Sequence, residues 1–104
     1  MIQMTLVKVA TKDEIPQGGV KKVETEGKEI LLANIDGEIF AINDICTHAQ
    51  CNLTNGSLEG SEVTCPCHGA KFDVKSSKVT NPPANEDAES YTIKIEGNDV
   101  FIDL

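Results

Sequence analysis

The chain has no tryptophan, one tyrosine and three phenylalanines, and it has no cysteine or histidine outside two short stretches. With so few aromatics, the core must be built from Val, Ile, Leu and Ala, a thin store of apolar surface for 104 residues. Such a core gains from an internal staple, because a group bound only by the folded state adds its binding free energy to folding. Basic residues are scarce too: nine stand against seventeen acidic ones, for a net charge of -8. That balance excludes a sequence-independent grip on nucleic acid and attraction to an anionic membrane surface, and it makes a basic protein the natural complement. No apolar run is long enough to span a bilayer, and no charged start followed by an apolar stretch marks a signal peptide. The expected location is therefore cytoplasmic, where four cysteines serve as metal ligands or reactive thiols more often than as disulfides. There is no sustained helical period, no internal repeat and no linker, so residues 1–104 read as one domain.

What the chain does have is alternation. Polar and apolar residues alternate from Thr5 to Val9, the period-two signature of a half-buried strand, before Lys12 to Pro16 interrupts it. Further strands are expected over Val20 to Thr25, Glu29 to Ile35 and Glu38 to Asn43. The last two are joined by Asp36-Gly37, the strongest hairpin signal in the sequence. From Asp44 to about Pro83 the chain is rich in turn residues, with room only for short strands near Glu62 to Thr64 and Lys71 to Asp73. Alternation returns in Tyr91 to Glu96 and, after Gly97-Asn98, in Asp99 to Asp103. The expected fold is all-β: antiparallel base strands from about 1–43 and 84–104, with a loop-rich lobe of about 44–83 inserted between them.

That lobe holds every soft ligand in the chain, in Cys46-Thr47-His48-Ala49-Gln50-Cys51 and Cys65-Pro66-Cys67-His68-Gly69-Ala70. Two clusters of Cys and His with none elsewhere point to a metal rather than to packing. A structural zinc site, two structural disulfides and a Cys–His nucleophilic enzyme are the competing readings. Each of Cys46-x-His48 and Cys65-x-x-His68 offers one thiolate and one imidazole, and together they make the mixed set of a [2Fe-2S] cluster with both Cys on one iron and both His on the other.

This pattern resembles the Rieske family signature, C-x-H, sixteen or seventeen residues, then C-x-x-H. The resemblance continues through Gly69, Lys71-Phe72-Asp73, the Pro82-Pro83 loop and the Gly97-Asn98-Asp99-Val100 ending, and it covers essentially the whole chain. It is strongest to the small soluble ferredoxins that serve aromatic-ring dioxygenases, and it implies a Rieske-type fold. It further implies Cys46, His48, Cys65 and His68 as iron ligands, one-electron transfer through the histidine edge, and no catalytic residue of the chain's own. The implied partners are a donating reductase and an accepting oxygenase or other redox protein, served by a monomer. A small subunit of a larger reductase, such as an NADH-dependent nitrite reductase, is the alternative. Cys51 and Cys67 occupy the positions that form a disulfide in the high-potential members of cytochrome complexes. Ala70 and Phe72 replace the Ser and Tyr whose hydroxyls donate to the cluster sulfurs in those proteins, which implies a lower potential. Pro82 and Pro83 are expected to shield the cluster.

Overall fold

A computed structural model describes residues 6–25, 27–45, 51–67, 69–81 and 88–103. The strands are β1 (Leu6–Thr11), β2 (Val20–Thr25), β3 (Lys28–Ile35), β4 (Glu38–Asn43), β5 (Ser57–Glu59), β6 (Glu62–Thr64), β7 (Lys71–Asp73), β8 (Val79–Asn81), β9 (Ser90–Glu96) and β10 (Asp99–Asp103). Six of them form one antiparallel sheet in the order β1-β10-β9-β4-β3-β2, and the other four form a second, β5-β6-β7-β8. Single 3-10 turns at Lys12–Glu14 and Leu53–Asn55 are the only helical turns among the described residues.

The centre of the large sheet is dictated by β3 and β4. Period two sends Leu31, Ala33 and Ile35 to one face and Ile30 and Leu32 to the other, and all five are buried. On β4, Ile42 joins the first face while Ile39 and Ala41 join the second. An apolar run without alternation, such as Ile30 to Ala33, is what a strand covered on both sides requires. The second face meets Ala10 of β1, Val23 of β2 and Val100 and Ile102 of β10, so the sheet curls until its outer strands share one core. The first face is covered by the small sheet, through Leu53, Val63, Phe72 and Val74. The β3–β4 turn has the expected geometry: Asp36 and Gly37 both take positive φ, 53° and 89°, and the Gly37 N–H donates to Asn34 Oδ1 at 2.9 Å.

Tyr91 packs partly buried on β9, opposite Ala41, with the Lys28 ammonium 5.5 Å from its ring centroid. Burial first, and the Glu89 carboxylate second, push its phenol up to about 12. The neutral phenol is thus favoured by folding. Its contribution to stability is complete below pH 10 and is lost as pH rises toward 12, because the unfolded chain gives up the proton first. As Tyr91 is the only tyrosine, phenolate absorbance should report it alone. The expected midpoint lies well above 10 in the folded protein, and a titration centred at 10 below the unfolding pH would refute the packing described.

Candidate metal centre

Both cluster stretches are six residues long, and the residues that flank each of them pair antiparallel. Residues 46–51 lie between Ile45 and Asn52, which form an isolated bridge. Residues 65–70 lie between Thr64 of β6 and Lys71 of β7, which pair directly. The second loop is tightened by two internal bonds, from Cys65 N–H to Ala70 O at 2.7 Å and from Gly69 N–H to Cys65 O at 3.1 Å. Gly69 reaches the latter with φ +78°, a conformation that costs a side-chain-bearing residue about 1 kcal/mol or more.

Cys51 and Cys67 are joined in a disulfide with Cα atoms 6.4 Å apart, so the end of the first loop is tied to the apex of the second. Cys65 is the free cysteine among the described residues, and it is 1% exposed. Its sulfur and those of the disulfide all lie within 4.8 Å of one another. The disulfide consumes two of the three sulfurs, and only Cys65 retains a thiol with which to bind a metal. The Cys51–Cys67 disulfide is the pairing the resemblance implied, and it leaves Cys65 free. Cys46, His48 and His68, as well as Pro82 and Pro83, lie outside the described residues.

The surroundings of Cys65 are apolar. Ala70 and Phe72 are fully buried in one cluster with Leu53, Val63 and Cys65, and half-buried Cys51 packs against them. Phe72 is therefore both a core residue and part of the wall beside the thiol, and neither it nor Ala70 brings a hydroxyl there. Gly56 brings its backbone close against the root of the second loop: a Cβ there would meet Thr64 O at 1.8 Å, just before Cys65.

Sequence reasoning missed the group that anchors the first loop. Asp44, the last residue but one before Cys46, is completely buried. Its Oδ2 accepts from Asn52 Nδ2 at 2.8 Å and Thr54 Oγ1 at 3.0 Å, and its Oδ1 accepts from Thr54 N–H at 2.8 Å. Its main chain is held as well, the N–H donating to Glu29 O at 3.0 Å and the carbonyl accepting from Leu53 N–H at 2.7 Å. Asn52 also donates to Glu29 Oε1 at 3.1 Å, and the Lys22 ammonium sits 2.7 Å from the same oxygen. Lys22, followed by Asn52, holds the Glu29 carboxyl below the usual carboxylate range, and Glu29 raises the Lys22 ammonium in turn. The available signal was an Asx residue before the loop with Asn and Thr just after it, types that bond to nearby backbone and close turns.

The donor set fits a binuclear iron–sulfur cluster: a sheltered thiol at the root of one of two braced loops, each of which carries a Cys–His motif. Comparison with known proteins agrees. The family model for the Rieske [2Fe-2S] domain matches residues 5–92. The chain is 43% identical over 91 residues to the ferredoxin component of a naphthalene 1,2-dioxygenase system of Pseudomonas aeruginosa, covering 88% of each chain. It is 41% identical over 102 residues to the biphenyl dioxygenase ferredoxin subunit of Pseudomonas sp. strain KKS102, covering 97% of this chain and 94% of that one. Among solved structures, the ferredoxin of Sphingomonas yanoikuyae B1 superposes with a TM-score of 0.91 at 28% identity, covering 96% and 99% of the two chains.

Proposed function

Since this chain belongs to the Rieske [2Fe-2S] domain family, we propose that it is the ferredoxin of a multicomponent oxygenase system, taking one electron from a reductase and passing it to a terminal oxygenase. The observation that carries this reading is its similarity, over nearly its whole length, to relatives that are ferredoxin components of dioxygenase systems. The cluster supplies a one-electron couple, and the chain supplies its geometry and surroundings. Cys46 and Cys65 would hold one iron and His48 and His68 the other, and the histidine side would be the edge that passes the electron. Phe72, Val63 and Ala70 keep water from the Cys65 side, which favours the less charged state of the site.

The charge pattern supports a two-part encounter. No Asp, Glu or Lys lies between Ile45 and Leu58 or between Val63 and Ala70, so the two cluster stretches themselves carry no acidic or lysine side chain. A basic partner is steered from a distance by the base, while contact at the loops is made by uncharged groups. Residues 1–104 act as one domain, with base strands from about 1–43 and 84–104 and a cluster lobe of about 44–83. The working location is the cytoplasm, in keeping with a structure in which no described helix is long and apolar enough to cross a membrane.

Two measurements test the reading. The reduced protein should give the rhombic EPR signal of a histidine-ligated [2Fe-2S] cluster, and a colourless protein loaded with zinc would sink it. Purified alone, the chain should shuttle electrons between a separate reductase and oxygenase. Activity only as part of a fixed complex would favour a reductase subunit instead.

A further inference from the structure

We propose that Asp44 is a positioning residue of the electron-transfer site: its buried carboxyl group clamps the two ends of the first ligand loop together and so holds the loop's ligands in place. The proposal rests on the Rieske reading above and adds to it a residue outside the ligand motif.

Three observations carry it. The carboxylate is fully buried and is met by three donors, Asn52 Nδ2, Thr54 N–H and Thr54 Oγ1, at 2.8 to 3.0 Å. The donors all follow the loop and the acceptor precedes it, so the bonds span residues 46–51 and fix the separation of its ends. Finally, Asn52 carries the clamp on to Glu29, and Glu29 to Lys22 on β2, which roots the loop in the large sheet.

Thr54 isolates the clamp, because its hydroxyl contributes one of the three bonds and carries no charge.

The test uses the cluster-loaded protein with Asp44→Asn and Thr54→Val, read by EPR and by the rate of cluster loss to a chelator. Asp44→Asn keeps the size of the side chain but sets an amide donor against one of the donors it now accepts from. The expected result is altered g-values and faster cluster loss. Thr54→Val, which removes one of the three bonds, should also lose the cluster faster, by a smaller factor. Folding of each variant is checked by thermal unfolding. If Asp44→Asn fails to fold, Thr54→Val and Asn52→Ala still decide the clamp, since cluster loss as slow as in the unaltered protein in both would overturn it. A folded Asp44→Asn with unchanged g-values and an unchanged rate of cluster loss would also overturn the proposal, leaving Asp44 merely structural. Failure of the Rieske reading would show differently, as absence of the EPR signal from the unaltered protein.

Discussion

Cys65→Ser is expected to yield a folded but colourless protein, with less than a tenth of the iron of the unaltered chain. Cys65 is 1% exposed, and a serine hydroxyl fills almost the same space, so the penalty to folding is that of burying one polar group, about 1–3 kcal/mol. The penalty to the site is far larger, because a hydroxyl is a hard and barely acidic donor where iron–sulfur chemistry needs a thiolate. The structure makes this variant informative because two other sulfurs stand within 4.8 Å of Cys65. If either of them were the true ligand, Cys65→Ser would keep its colour and the double variant Cys51→Ser/Cys67→Ser would lose it. The disulfide rules out that exchange of roles, so the expected order is the reverse: the double variant stays coloured when loaded. Iron and sulfide per chain, with the visible spectrum, give the answer. Two irons per chain in Cys65→Ser would contradict the assignment.

The fold was legible wherever a strand is long enough for its period to be counted. β3, β4, β9 and β10 announce themselves through alternation or an apolar run, and Asp36-Gly37 fixes the register of the central pair. β5 and β8 were not legible. Each has three residues, too few to show a period, and they are strands because β6 and β7 offer them edges to pair with. β1 ends later than its alternation suggests, reaching Thr11 because that residue pairs with Asp99, a partner remote in sequence. The same limit applied at the site. Cys65 stood out because soft ligands are rare in this chain, and the brace between Cys51 and Cys67 was readable through family resemblance, since four cysteines alone permit several pairings. Asp44 was hidden: one acid among seventeen, it looks like any turn residue until Thr54, ten positions on, is seen to close over it.

Removing the disulfide with the double variant Cys51→Ser/Cys67→Ser is expected to lower stability by about 3 kcal/mol and to shorten the life of the cluster many-fold. The bond closes a segment with a sequence separation of 16, and in the chain-entropy model a crosslink of that span removes about this much freedom from the unfolded state. For a domain near 100 residues, that is a fall in melting temperature of roughly 10–20 °C. The effect on the cluster has a separate origin. The loops are each closed at the root by backbone pairing, but the disulfide alone among the described contacts joins the end of one directly to the apex of the other. Without it, nothing covalent but the cluster itself holds the ligand loops together, and a chelator waits only for a local opening rather than a global one. Both cysteines must be replaced, because a single variant leaves a thiol beside Cys65 with which it can pair on oxidation. Melting curves of cluster-loaded and cluster-free protein separate the two contributions: the loss from the unfolded state appears in both, and the loss from the braced loops only in the loaded form. Equal melting temperatures and equal rates of cluster release with and without the disulfide would show that the brace bears neither load, and that the clamp at Asp44 and the close approach of Gly56 to Thr64 suffice to hold the loops.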